Sequence, residues 1–320
     1  MKYKLIALTV SGVLLAGCGS DNENRVEPTS TSVQAFDGAI RYLDTYMDCA
    51  GGGWEFVGET GGKGLINIGK GNYPLFDEDP TQCDIAFGES RFGSGGGTND
   101  AIDESNSKDM TKVLYTVPGE LITKGKPIAG TPYTTLVAQA IEEDTSGLTV
   151  AEIIDKVFAD TLPEGTTLSS EQKSLLLSDP QAALDSMDAA TSTNVQASTM
   201  ILSDAIVGAE AQGGRDSADI ANVTKTLATS LAAQDNFPTN AAGEPTYVDY
   251  TEDLDDADTF DDTVDAEPNP ETPLPPSTAA GAGDPLQDGE VIEDELPPTD
   301  IPPVDEELPP GTGGTGGSEG

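Results

Sequence analysis

The chain has no histidine among its 320 residues, which removes the side chain most used for proton transfer near neutral pH and for holding transition metals. Without an imidazole, the usual serine, cysteine and metal hydrolase machinery is excluded, and no Gly-x-Ser-x-Gly elbow is present either. Basic residues are scarce: 15 Lys and Arg stand against 57 Asp and Glu, a formal net charge of -42. Such a polyanion repels nucleic acid and anionic head groups, so neither is a partner through charge attraction. Aromatic residues make up only 5% of the chain, too few to line an extended sugar-binding cleft easily.

What is present begins with a short basic start, Met1-Lys2-Tyr3-Lys4, and an apolar run from Leu5 to Leu15 that is too short to span a bilayer as a finished helix. The run closes on Leu15-Ala16-Gly17-Cys18. This layout resembles the lipobox of bacterial lipoprotein signals. The resemblance implies removal of residues 1–17, a diacylglyceryl group on the Cys18 thiol and acylation of the new amino terminus by a chain such as palmitate. One acyl chain binds only marginally, at about 0.8 kcal/mol per buried methylene, so a multiply acylated Cys18 ties the chain to a membrane. Gly19 and not Asp follows the cysteine, which by analogy with Gram-negative sorting implies the outer membrane, on either its periplasmic or its surface-facing leaflet.

With Cys18 lipidated, Cys49 and Cys83 remain as an even pair in an oxidising compartment, and a disulfide is the economical assignment. Closing a loop of about 35 residues stabilises by roughly 3 kcal/mol or somewhat more in the chain-entropy description. A catalytic thiol lacks a histidine to activate it, and two sulfurs without histidine make a poor zinc site.

Residues 18–32 are polar and aperiodic and read as a tether linker. Over 33–130, apolar clusters alternate with glycine: Trp54 to Val57, Leu65 to Ile68, Asp84 to Phe87 and Val113 to Val117. Short strands at this spacing predict a small antiparallel β-sandwich. Ile40 to Met47 fits either a strand or a helical stripe, and the glycines Gly51-Gly52-Gly53 just beyond favour a strand. Phe36-Asp37-Gly38-Ala39-Ile40, then Gly58-Glu59-Thr60 and Gly64-Leu65-Ile66, resemble the Asp-Gly opening and hairpin of carboxypeptidase-regulatory-like sandwiches on bacterial surface proteins. Thr131-Pro132-Tyr133-Thr134-Thr135-Leu136-Val137 resembles the stretch that follows such a sandwich and leads into a small helical region. The cysteine pair and a charged, glycine-rich segment, Gly93 to Lys108, depart from that pattern, and the segment reads as a surface loop.

Residues 131–235 change to helical period. Thr149-x-x-Glu152 and Ser169-x-x-Gln172 are capping boxes, and Asp179-Pro180 reads as a cap followed by proline in the first turn. Ile153, Ile154, Val157 and Phe158 form one apolar face, and Val195, Leu202 and Ile206 another. Helices over 181–212 and 217–234 are rich in Ala and Ser and are expected to pack loosely. Beyond Lys225 there is no basic residue, and from Asp249 onward 22 Asp and Glu mix with repeated prolines. That composition predicts a disordered acidic Pro/Gly-rich tail over 236–320. The fold class expected is α+β: sandwich, loosely packed helices, then tail.

Candidate sites are few. An EF-hand loop counted from Asp256 places Asp258 and Glu267 at ligand positions, but Phe260 and Asp261 occupy the fifth and sixth positions, so these are weak metal candidates and no cofactor is implied. Gly311-x-Gly313-x-x-Gly316 follows no strand, and Gly61-Gly62-Lys63-Gly64 reads as a hairpin turn and not as a phosphate loop. Tyr42, Tyr46, Trp54 and Phe56 are the one dense aromatic group: core or rim of the sandwich, or, if exposed, a sugar or peptide groove. The function expected is a non-enzymatic structural or adhesive envelope module with a membrane anchor and an envelope protein, surface protein or glycan as partner. The competing reading is a carbohydrate or peptide receptor, or a hydrolase using paired carboxylates on the sandwich loops.

Overall fold

The computed structural model describes residues 30–88, 100–274, 286–289 and 292. Cys18 and the expected signal lie outside the described residues, as does most of the acidic Pro/Gly-rich segment beyond 274.

The glycine-punctuated first part forms β1 (Ser30–Ala35), β2 (Ile40–Arg41), β3 (Asp44–Cys49), β4 (Glu55–Glu59), β5 (Leu65–Gly69), β6 (Cys83–Gly88), β7 (Ile102–Asp103), β8 (Leu114–Val117) and β9 (Ile128–Gly130). One sheet has the order β4-β3-β6-β8 and is antiparallel throughout; a second, β5-β1-β9, pairs β1 with β9 in parallel. The segment from Ile40 to Met47 is extended, as expected, but broken where Tyr42 takes φ 62 and the chain steps from the short β2–β7 pair into β3. Val33, Ile68 and Ile128 of the second sheet share one apolar core with Met47, Ile85, Phe87, Tyr115 and Val117. Gly130 makes the approach possible, because a Cβ there would sit 2.2 Å from the Phe87 ring. Cys49 faces Cys83 across β3 and β6, and the two form a disulfide.

Helices follow where the caps predict them. Thr131 caps α2 (Pro132–Glu143), accepting a hydrogen bond from the Thr134 amide while the Thr134 hydroxyl accepts from the Thr131 amide. The Thr-Pro-Tyr-Thr-Thr stretch is therefore a helix start, and Thr135 Oγ1 ties it to β8 by accepting from the Thr116 amide at 2.9 Å. Capping boxes open α3 (Val150–Thr161) and α4 (Ser170–Leu176), and Asp179 caps a short helix, Pro180–Asp185, here α5. The helix expected over 181–212 is divided: Asp188 accepts from the Thr191 amide and starts α6 (Ala189–Ala211) afresh. α7 spans Ser217–Ala232.

Loose packing is not what the small residues produce. From Val195 to Ala209, α6 is largely buried, and it touches α2, α7 and a short helix α8 (Thr251–Asp255). Ala197, Ala205, Gly208 and Ala209 bury little area themselves, but they let neighbouring backbones come close, so α6 is the centre of the helical core. Its Val207 reaches into the sheet core as well.

The expected tail is corrected in the same way. Phe237, Val248, Tyr250, Leu254 and Phe260 are buried in the helical core, and α9 (Ala257–Val264) follows α8 directly. An antiparallel pair, β10 (Thr246–Tyr247) with β11 (Gln287–Asp288), also falls in this stretch. Composition misleads here because most of the acids face outward while a few large apolar residues anchor the chain. Arg215 reinforces the seat: its guanidinium lies 5.1 Å over the Phe260 ring and 2.7 Å from Asp261.

Candidate functional site

The aromatic group does not assemble a groove. Tyr46 is fully buried, its hydroxyl donating to Asp44 Oδ2 at 3.1 Å and its ring meeting Phe56 edge-on at 5.6 Å. Tyr42 and Phe56 are exposed, Trp54 is half-buried, and none of the four lines a cavity described below. The calcium candidates separate as well: Asp256 is spent as the α9 cap, accepting from the Thr259 amide at 2.9 Å, and Asp258 lies in that helix's first turn. The helix replaces the loop an EF-hand needs, and Glu267 falls beyond its end. Among the described residues, no group of three or more His, Cys, Asp or Glu is placed to hold a metal.

The chemistry concentrates instead where the β1–β2 hairpin, the 100–108 segment and α6 meet. Residues 93–99 of the expected surface loop lie outside the described residues, and within 100–108 Asp103, Asn106 and Lys108 are buried. Gly38 turns the hairpin at φ 81, and a Cβ there would lie 2.3 Å from Asp103 Oδ1, so the turn requires glycine both for its backbone and for space. This places Asp37 beneath α6. Tyr115 from β8 donates to Asp37 Oδ2 at 3.2 Å and lies 2.8 Å from the Ser203 hydroxyl. One residue on, Asp204 pairs with Lys108 at 2.5 Å, both side chains almost fully buried, and its other oxygen accepts from the Tyr250 amide at 2.9 Å. Asp103 is held by the amide and hydroxyl of Ser105. A second buried pair, Arg41 with Glu104, closes the far side, where Glu104 also accepts from the Lys63 amide.

Acid outnumbers base in this cluster, and burial sets the titration. Burial pushes Asp37 well above the usual carboxylate range, with Lys108 opposing. It pushes Asp103 to about 6 against the Ser105 hydrogen bonds, and Asp204 to about 6 against the attraction of Lys108. Burial alone would lower the Lys108 ammonium, but Asp204, Asp249 and Asp37 together hold it above its ordinary value. Raised folded-state values mean that the folded protein favours protonated Asp103 and Asp204: that stability is fully present below about pH 4 and is lost as pH rises through about 6. Exposed helix caps act oppositely. Hydrogen bonds hold Asp144, Glu152, Asp188 and Asp256 low, so their contribution is present above about pH 4 and is lost below it. Thermal melts from pH 3.5 to 8 are therefore expected to show maximal stability near pH 5 and a clear fall by pH 7.5; a rise from 5 to 7.5 would contradict this balance.

Two cavities flank the cluster. One, of about 120 Å³, lies between the Asp37-Gly38 turn and α4, α5 and α6. The other, of about 160 Å³, is bordered by Lys108, Asp204, Asp249 and Glu252. Two carboxylates around the second are engaged: Asp204 by Lys108 and the Tyr250 amide, Asp249 by the Thr251 amide and hydroxyl. Sequence reading passed over Asp204, although its setting signals it: an acid between Met200-Ile201-Leu202 and Ala205-Ile206-Val207 on a helix must find a buried partner. Lys108 carried no comparable local signal.

Compared with family models, curated proteins and solved structures, the chain matches none.

Proposed function

We propose that the protein is an outer-membrane lipoprotein whose folded body serves as a non-enzymatic structural or binding module of the bacterial envelope. The observation that carries the reading is the sequence Leu15-Ala16-Gly17-Cys18 at the end of a short apolar run. The position of the folded body supports it: β1 begins at Ser30, close enough to Cys18 for a short tether and far enough for the body to clear the head groups. Ser30 and Thr31 share a groove with Lys70, Lys124 and Lys126, so the side from which the chain leads toward Cys18 is locally basic on an acidic molecule. That patch lessens, on the anchored side, the repulsion that the whole chain's charge sets against anionic head groups. The Cys49–Cys83 disulfide suits an oxidising compartment. We read the two sheets over their common core as a small sandwich of the surface-protein kind.

The non-enzymatic reading rests on the state of the buried acids. The carboxylates of Asp103 and Asp204 are committed inside the fold, Asp103 to the Ser105 amide and hydroxyl and Asp204 to the ion pair that ties α6 to the 100–108 segment. Among the described residues no helix is long and apolar enough to cross a membrane, and the anchor proposed is the lipid on Cys18. Expression in a Gram-negative host with an alkyne-bearing palmitate tests it. Label on the native chain, lost in Cys18→Ser together with membrane retention, is the expected result. An unlabelled native chain that is released by washing without detergent would remove the anchor and the envelope role.

A further inference from the structure

The cavity beside Asp37 has the make-up of a ligand site. Phe36, Leu176, Leu184 and Met200 supply apolar lining, and Asp37 and Tyr133 border it together with Gln181, Gln196 and Thr199. Asp37 is 5% and Tyr133 1% exposed. Asp37 uses one oxygen to accept from Tyr115; its other oxygen, Oδ1, is buried and has no partner. The Tyr133 hydroxyl is buried near Thr161, Ser198 and Thr199 but stands in good hydrogen-bond geometry to none of them. Leaving such atoms unsatisfied costs about 1 to 3 kcal/mol each, so a donor arriving at Asp37 Oδ1 recovers energy the empty fold forgoes.

Charge selects the kind of donor. No lysine or arginine borders this cavity, and Lys108, the base of the neighbouring cluster, is taken by Asp204. Asp37, Asp103, Asp204 and Asp249 thus share one buried ammonium, and the chain as a whole carries -42. Burial raises the Asp37 carboxyl, and an arriving ammonium favours its charged form as Lys108 does, so the site takes a cation ahead of an anion. Volume sets the size: a dry apolar cavity of about 150 Å³ accepts benzene, so about 120 Å³ takes a slightly smaller body.

We propose that the cavity between the Asp37-Gly38 turn and helices α4 to α6 binds a small organic cation, a primary ammonium on a short branched aliphatic body, with the ammonium on Asp37 Oδ1 and the body against Leu176, Leu184 and Met200. The lining offers no lysine or arginine to receive a carboxylate, so zwitterionic amino acids, whose carboxylate would meet Asp37 and the acidic cluster, are rejected. The inference goes beyond the structural-module reading and is independent of the lipid anchor, so its failure would leave that reading untouched.

Isobutylammonium, isobutanol and isobutyrate are isosteric probes that differ in charge. Titrated into the full chain and followed by nuclear magnetic resonance or calorimetry, isobutylammonium is expected to bind with a millimolar or tighter Kd, at least tenfold better than isobutanol, while isobutyrate does not bind. Asp37→Asn should weaken the ammonium at least tenfold and bring it level with the alcohol. Should that variant not fold, Met200→Trp, at a half-buried position on the cavity wall, fills the space and should abolish binding of ammonium and alcohol alike. Absence of ammonium binding, equal affinity for all three probes, or binding unchanged by whichever of these variants folds would each overturn the proposal.

Discussion

Gly208→Ala is expected to destabilise the protein by about 1 to 3 kcal/mol, where the same change inside a helix ordinarily stabilises by up to about 1 kcal/mol. The sign turns on one contact. A Cβ at Gly208 would stand 2.5 Å from the Leu254 carbonyl oxygen and 2.7 Å from its Cβ, so α8 must move off α6. The movement would break the hydrogen bond that Gln212 Nε2 donates to the Leu254 carbonyl at 2.6 Å and would loosen Leu254 and Phe260 in their seats. Gly208→Leu should cost more and expose residues 249–264 to protease, while the sheets stay folded. Denaturant midpoints and limited proteolysis read both effects; a more stable Gly208→Ala protein would mean that the acidic segment does not dock on α6.

Lys108→Met should cost about 3 to 5 kcal/mol, since it strips the ammonium from a buried cluster of acids and leaves Asp204 charged with no counter-charge. Asp204→Asn should cost less. Its amide oxygen can still accept from the Tyr250 amide, and Asp37 and Asp249 continue to offset Lys108. The double variant should be more stable than the sum of the two losses implies, because it removes both charges at once and leaves no orphan. Urea denaturation of the four proteins gives the coupling directly; additive losses would show that Lys108 and Asp204 do not act as a pair. The loss in Lys108→Met should also shrink toward pH 5, as Asp204 and Asp103 take up protons.

The features that local chemistry governs were open to reading in the chain. Thr149 with Glu152, Ser169 with Gln172, and Asp179 before Pro180 start helices because a side-chain oxygen three residues back satisfies an amide that no turn of helix can. The pairing of Cys49 with Cys83 followed from arithmetic and compartment, and the register of β3 on β6 places them face to face. Strands β3 to β6 and β8 lie close to the apolar clusters that announced them.

The misreadings share a different cause. Ala and Ser in α6 looked too small to hold a core, and acids after 236 looked too polar to fold, because composition counts what a residue buries and not what it lets approach. Gly208 contributes no side chain, yet it admits the backbone of α8. In the segment Gly93 to Lys108, glycine and charge suggested a surface loop, whereas Asp103 and Lys108 turn inward because Gly38 and Asp204, distant in sequence, meet them there.

By itself the sequence determined where helices begin, which stretches extend, which thiols pair and, in Cys18, where a lipid would be expected, since each depends on residues adjacent along the chain or on simple counting. Only the tertiary structure decided that α6 is the central helix, that the acidic segment closes over it, and that Asp37 ends beside a cavity with an oxygen unsatisfied. Those outcomes depend on which surfaces come within a few ångströms across long separations, where low dielectric makes one missing partner costly, and no local pattern encodes that distance.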